Sequence, residues 1–368
     1  MKLAKLSLAA IMAAGAFSVA NATPLEDAIK GVDLSGFVRF RWYDESEGTN
    51  TQTDRNRFSS ELLFKAPAGD NLSVGVSVSY ESSQYAADQA SSDANIVMHQ
   101  AWLKYATADY SVKIGRQIPT TPWTETGYNG SMGNGVIGMY TGVENWTFAG
   151  AFFSQTDGAN ATIGTLADGE NISAAAVIGQ VGPVNLQVWG ANMTNIFDSS
   201  IYAQADMKMA GFDVKVQMNQ MNLADETAGL FADDSGLFWG AEASYSMDNF
   251  TVGGGYSSTD DDMPIYTLDP DDSGMVKWGK QIYYQTVNTP DADTYAVYGK
   301  AKFGAIGAGA GYVGASIGNN DMDEFYVDAS YKYSKHFGLS TYYSVLNDDA
   351  SASAADNNEF RFEAKYTF

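Results

Sequence analysis

The sequence predicts an all-β fold: a transmembrane antiparallel β-barrel of about eighteen strands, with roughly sixteen as the nearest alternative. Two observations carry this reading. Apolar and polar residues alternate with period two over almost the whole chain beyond residue 33, as strands with one apolar and one polar face require. The connections between these segments alternate short and long, the layout of a barrel with tight periplasmic turns and long external loops. The last segment, Asn358 to Phe368, alternates without a break. Phe360, Phe362, Ala364, Tyr366 and Phe368 share one face; Glu359, Arg361, Glu363, Lys365 and Thr367 share the other. A soluble sheet also buries such a face, so the assignment rests on agreement with the rest of the chain.

Met1 to Ala22 reads as an export signal. Lys2 and Lys5 make a basic start, Leu6 to Phe17 a short apolar run, and Ala20-Asn21-Ala22 a small-residue cleavage site. A spanning helix needs about 20 residues, more than this run supplies. Residues 23–33 are expected to form a periplasmic lead and residues 34–368 a single barrel domain. The chain has no Cys, which excludes disulfides, thiol catalysis and thiolate metal sites. A formal net charge of −23 argues against a nucleic-acid partner. Mean hydropathy is slightly negative, at −0.21. A helical membrane protein would be far more apolar, whereas a barrel carries its membrane face on every second residue.

Taken in order, the strand segments repeat one theme. Gly36, Val38, Phe40 and Trp42 oppose Arg39 and Arg41; Phe58, Ser60, Leu62 and Phe64 oppose Arg57, Glu61 and Lys65. Leu72, Val74, Val76, Val78 and Tyr80 oppose small polar residues. Phe212, Val214, Val216 and Met218 oppose Asp213, Lys215 and Gln217. Phe325, Val327, Ala329, Tyr331 and Tyr333 oppose Glu324, Asp328 and Lys332. Short connections fall at 66–71, 106–109, 143–145, 180–183, 210–211, 247–249, 304–305 and 334–336. Long ones fall at 44–54, 82–94, 116–135, 155–171, 193–198, 222–236, 257–292, 315–322 and 346–357. Every Pro lies in a connection or in the lead, as expected where a missing ladder hydrogen bond has no solvent to replace it. Helix beyond the signal is expected at most as a short turn after Ile118. Aromatics gather at strand ends, Tyr105, Tyr110, Phe212 and Tyr245 beside short turns and Trp42, Trp239, Tyr256 and Tyr295 towards long loops. Such belts suit the two headgroup regions of a bilayer.

The beginning of the chain resembles the Campylobacter-type major outer membrane protein family of porins. The resemblance is carried by Met-Lys-Leu-Ala-Lys-Leu-Ser-Leu-Ala-Ala at the start, by Ala20-Asn21-Ala22-Thr23-Pro24-Leu25-Glu26-Asp27-Ala28-Ile29-Lys30, and by Val32-Asp33-Leu34-Ser35-Gly36. Gly115-Arg116-Gln117 before a long loop and the final aromatic strand add to it. It implies a homotrimer in the outer membrane, in contact with lipid and lipopolysaccharide, with a folded-in constriction loop and no catalytic residues. Calcium binding and adhesion are linked to some members.

A barrel of this size encloses an aqueous channel whose selectivity comes from lumen charge and constriction. The expected function is general diffusion of ions and small hydrophilic solutes. The constriction candidate is the loop 116–135, stiffened by Pro119 and Pro122 and hinged by Gly127, Gly130, Gly133 and Gly135. The competing reading is an ordinary external loop. Arg39, Arg41, Arg57 and Arg361 sit on strands that closure makes neighbours, forming one basic wall that Glu125 is expected to face. Glu61, Glu359 and Glu363 share this wall and are candidate partners of the arginines. Lys104, Lys113 and Arg116 complete the candidate pore lining. Asp269, Asp271 and Asp272 are the candidate ligands for calcium or magnesium, although solvated surface charge is the favoured reading of them and no EF-hand spacing is present. The acidic loops predict weak cation preference, screened by salt.

An enzyme is disfavoured, because His99 and His336 neighbour no nucleophile in a credible arrangement. His99 is expected to be a polar lumen or interface residue. A channel preferring small acidic solutes is compatible with Arg39, Arg41 and Arg57. An adhesin or receptor-binding surface remains the third reading, for the external loops.

Overall fold

The computed structural model describes residues 31–47, 51–85, 95–125, 127, 130–154, 169–227, 229, 231–269, 273–349 and 357–368. The expected export signal and most of the expected lead lie outside these residues. Among the described residues, 18 antiparallel strands form one closed sheet. In chain order they begin with β1 (Asp33–Glu47), β2 (Thr51–Pro67), β3 (Leu72–Tyr85), β4 (Asn95–Ala106), β5 (Tyr110–Gln117) and β6 (Gly133–Val143). They continue with β7 (Trp146–Ser154), β8 (Ile172–Val181), β9 (Val184–Met193), β10 (Phe197–Met209), β11 (Phe212–Leu223) and β12 (Ser235–Met247). The last six are β13 (Phe250–Thr259), β14 (Ala292–Phe303), β15 (Ile306–Ile317), β16 (Asn320–Lys332), β17 (Phe337–Asp348) and β18 (Asn357–Thr367). Each pairs with its sequence neighbours, and β1 pairs with β18. At that seam Phe368 N–H donates to Gly36 O (3.1 Å) and Gly36 N–H to Phe368 O (3.0 Å).

The alternation read from sequence is the in–out alternation of the wall. On β11, Val216 and Met218 are exposed at 50% and 41%, while Gln217 and Asn219 are buried at 1% and 0%. The outer face is apolar and aromatic. Cross-strand ring pairs sit near both rims, Phe212–Tyr245 (4.7 Å) and Phe250–Phe303 (5.6 Å) beside short turns, Trp239–Tyr256 (5.2 Å) at the other end. Short turns use the conformations that tight hairpins require. Ala210 and Gly211 both have positive φ, 54° and 86°, which joins β10 to β11 in two residues.

Two expectations change. Three connections expected to be long are short in sequence, because the strands they join run further than read: Glu47 to Thr51, Met193 to Phe197 and Ile317 to Asn320. The outer end of β1, Asp44-Glu45-Ser46-Glu47, is polar on both faces and so imitates a loop, whereas Met193, Phe197 and Ala315 at the other two connections belong to the apolar cluster inside the barrel. The short turn expected after Ile118 is present at 121–124, where Thr124 N–H donates to Thr121 O (3.3 Å), but it is not helical. The short 3-10 helix among the described residues lies at Ile282–Gln285, in the loop 260–291.

That loop, here L7 (260–291), fills the barrel together with L3 (118–132). Met263, Ile265, Leu268, Val276, Trp278, Ile282 and Val287 of L7 and Trp123 of L3 are buried in one cluster. Strand residues from β7 to β17 complete it, including Phe153, Met193, Met221, Phe238, Val313 and Leu346. On these strands the inner face turns apolar near the external end, where the loops pack. Polar anchors set the loop positions. Glu324 on β16 is fully buried and accepts from the amides of Lys280 (2.7 Å), Gln281 (3.0 Å) and Ile282 (2.9 Å). Gln217 on β11 donates to Gly274 O (2.8 Å) and accepts from Val276 N–H (2.7 Å). Trp123 donates its indole N–H to Asn219 on β11 (3.0 Å).

Asp269 ties L7 to L3. It is 3% exposed and accepts from Glu125 N–H (2.8 Å), Ser131 N–H (3.0 Å) and Ser131 Oγ (2.8 Å). One carboxylate thus closes both ends of the L3 segment 125–131. Leu268 N–H to Trp123 O (2.8 Å) and Gly274 N–H to Pro122 O (2.8 Å) add backbone bonds between the loops.

Two outcomes follow. Asp269→Ala leaves buried donors of Glu125 and Ser131 without this acceptor, at about 1–3 kcal/mol each. Limited proteolysis of the folded protein should then cut L3 faster; an unchanged rate would show that the clamp does not hold the loop. Gly255 on β13 lies so close to the Trp278 ring that a Cβ would overlap it. Gly255→Val should release L7 to protease while leaving the β-sheet circular dichroism intact.

Candidate pore and constriction

L3 and L7 occupy the β7–β17 side of the lumen, and among the described residues none of β1–β5 or β18 belongs to their apolar cluster. The arc β18–β1–β2–β3–β4–β5 instead keeps charged side chains on its inner face. Register sets this arc row by row. Arg41 lies between Glu363 on β18 and Arg57 on β2; Tyr43 lies between Arg361 and Arg55; Arg39 lies between Lys365 and Ser59. The expected neighbourhood of Arg39, Arg41, Arg57 and Arg361 is therefore present.

Its charges are mostly compensated locally. Arg41 Nε is 2.6 Å from Glu363, Arg57 is 2.8 Å from Glu81, and Arg55 is 2.8 Å from Glu45. Arg39 donates to Ser59 Oγ (3.0 Å), and its guanidinium lies 5.4 Å from the Phe37 ring centroid. Arg361 stacks over Tyr342 at 4.7 Å, and Tyr342 hydrogen-bonds Glu359. Of the three carboxylates expected to serve the arginines, Glu363 does so. Glu61 instead meets His99 Nδ1 at 2.9 Å and Gln100 at 3.2 Å, so His99 faces the lumen as a polar residue. Glu45 and Glu81 were not singled out in the sequence, because each sits where a strand's outer end reads as loop.

Lys104 and Lys113 are cross-strand neighbours on the inner face, with Lys113 4.8 Å from the Trp102 ring centroid. Arg116 departs from expectation. Register places it in the row of Asn134 and Ser154, opposite in parity to the buried, inward Gln117. One step along a strand reverses the face, so Arg116 belongs to the outer surface near the external rim. Glu125 is half-buried on L3. On the loop side, Lys280 lies 3.4 Å from Asp328 and over Tyr326 and Tyr342 at 4.8 and 5.5 Å. Gln281 reaches Ser344 Oγ (2.7 Å) and Asn357 O (3.2 Å), which pins L7 to the edge of the arc. Burial pushes the Tyr266 phenol of L7 well above its ordinary range.

Of the carboxylates expected as metal ligands, Asp269 lies among the described residues. Asp269 is an internal acceptor for backbone amides, not a solvated surface charge. Asp271 and Asp272 lie outside the described residues. Among the described residues, no three His, Asp or Glu side chains converge as a metal cage would require. Sequence reasoning also missed L7 as a lumen loop. The available signal was Met263-Pro264-Ile265-Tyr266 and Met275-Val276-Lys277-Trp278, apolar runs set among aspartates.

The fold recurs in known channels. Pseudomonas aeruginosa OccK9 (OpdG) superposes with a TM-score of 0.75 at 14% identity, over 93% of this chain and 99% of that one. OccK5 (OpdH) of the same organism gives 0.74 at 11% identity, over 92% and 98%. Acinetobacter baumannii OccAB4 gives 0.73 at 14% identity, over 92% and 98%. No curated protein matches the chain. The family model described as the Campylobacter major outer membrane protein matches residues 1–368, the whole chain. Together with the closed 18-stranded barrel and its loop-narrowed lumen, this shows that the chain belongs to the Campylobacter major outer membrane protein family and is an outer-membrane porin for small solutes.

Proposed function

We propose that this porin is a general diffusion channel with a weak preference for cations. The carrying observation is the lopsided filling of the lumen. L3 and L7 leave a passage against an arc whose arginines are paired with carboxylates, so the wall itself selects weakly. The net charge of −23 and the exposed aspartates at the external rim then tip the balance towards cations. Glu125, on the loop opposite the arc, is the acidic side of a transverse field. The family resemblance supports a homotrimer, which cross-linking of the native outer membrane tests as a three-rung ladder.

A second reading has a specific observation in its favour. Arg39, Arg41, Arg55, Arg57 and Arg361 rise in successive rows on three adjacent strands. Such a ladder would offer a small carboxylate a series of guanidinium partners. The ion pairs to Glu363, Glu45 and Glu81 make it the weaker reading.

Single-channel recording under a salt gradient separates the two. Glu125→Gln should lower conductance and move the reversal potential towards anions more than Asp261→Asn, an exposed substitution at the mouth. Equal shifts would remove L3 from the constriction. Block of current by millimolar dicarboxylate, relieved by Arg57→Gln, would favour the acidic-solute channel instead.

A further inference from the structure

The lysines are distributed along the barrel axis in one sense only. Lys277 and Lys280 belong to L7. Every other lysine beyond residue 31 lies in a short turn or within three residues of the strand end beside one. Lys65 and Lys104 precede the ends of β2 and β4, and Lys113 and Lys215 follow the starts of β5 and β11. Lys208, Lys300 and Lys302 lie in the last residues of β10 and β14, and Lys332, Lys335 and Lys365 gather where β16, β17 and β18 meet. Parity turns the strand lysines inward. Lys65 shares the face of Glu61, Lys332 that of Asp328, and Lys365 that of Arg361 and Glu363.

The opposite rim is acidic. Asp225, Glu226, Asp233 and Asp234 are exposed on the β11–β12 connection, and Asp261 and Asp349 on two others. Short turns face the periplasm in this architecture. The positive end is therefore periplasmic and the negative end external. Compensation at the positive end is partial. Asp70, Asp109, Glu144 and Asp248 are exposed in other short turns and Asp213 pairs with Lys208 at 2.7 Å, whereas the β16–β18 end forms a pocket of about 270 Å³ lined by Lys332, Lys335, His336 and Lys365. Its carboxylate, Glu363, is held by Arg41.

We infer that the pore is electrically bipolar along its axis, cation-concentrating at the external mouth and anion-concentrating at the periplasmic vestibule, and that it rectifies ionic current. The inference rests on the proposed diffusion reading and adds a direction to it. When the external side is positive, cations enter through the acidic end and anions through the basic end, so both accumulate and current is high. Reversed voltage draws each ion away from the middle, and current falls. A wall field of this kind survives where the Debye length is comparable with the pore and is lost where it is not, about 10 Å at 0.1 M salt against about 3 Å at 1 M.

The test is the current–voltage curve of single channels of the refolded mature protein. Asp349→Cys, in a chain without native Cys, marks the external side through one-sided modification by an impermeant charged thiol reagent. The expected ratio of currents at opposite voltages is about 1.5-fold or more at ~0.1 M KCl, larger with the external side positive, and near unity at ~1 M. The triple substitution Lys332→Gln, Lys335→Gln, Lys365→Gln should lower the ratio at ~0.1 M. Asp233→Asn with Asp234→Asn should lower it independently from the other end. Open channels with symmetric curves at ~0.1 M, or a ratio untouched by both sets, would overturn the inference and leave the diffusion reading standing. Folded protein without openings would overturn both.

Discussion

Lipid offers nothing to an unpaired backbone amide, so the sheet must close on itself. Closure here depends on β1 meeting β18 in register, with Gly36 and Phe368 exchanging backbone hydrogen bonds at the periplasmic end. Much else depends on that seam. It brings the two ends of the chain together and turns Arg39, Arg41, Arg57 and Arg361 into one wall. It also fixes which parity faces water. A one-residue slip would put the arginines into lipid and the aromatic face into the lumen.

A closed barrel of this circumference has more interior than its own side chains fill. L3 and L7 take up that space on one side. They bury an apolar cluster, but apolar packing does not satisfy the backbone of an irregular loop. Buried amides need acceptors. Glu324 and Asp269 supply them, one from the wall to L7 and one from L7 to L3. A carboxylate suits this work because it accepts several donors at once, and Glu324 takes three. The two loops are therefore held by a chain of supports, β16 to L7 to L3, and L3 does not keep its place alone.

How much of this was legible follows from what each feature depends on. Strand number, face assignment and turn positions depend on local alternation, which the sequence displays in full from Phe212 to Met218 or Phe360 to Phe368. At Asp44 to Glu47 the alternation is lost in an unbroken polar run, and at 315–317 small residues hide it although Ala315 packs into the lumen cluster, so both stretches read as loop. Arg116 was misplaced because a residue beside a loop has no neighbours to fix its parity. Asp269 was taken for surface charge because its partners, Glu125 and Ser131, are more than 130 residues away in the chain. Local composition carries no trace of such a contact. The apolar runs of L7 were visible, but only a closed lumen gives them something to pack against.

The two kinds of cation divide the labour in a way their chemistry explains. A guanidinium is a rigid planar fork that holds a carboxylate in fixed geometry. Arginines occupy the middle of the arc, and three of them are ion-paired at 2.6–2.8 Å. Paired in this way they contribute dipoles across the wall and little net field along it. An ammonium is a compact, strongly hydrated charge on a flexible stem. At the periplasmic rim, where water is abundant, lysines need no partner to be stable. The arginines thus shape the cross-section, and the lysines charge one end of the axis. Screening follows the same division. Ion-paired arginines keep their geometry in high salt, whereas the field of solvated lysines fades as the Debye length shortens. Passage of a charged solute is then governed by two separable features: a narrow section set by loop anchoring and guanidinium pairs, and an axial field set by ions free to be screened.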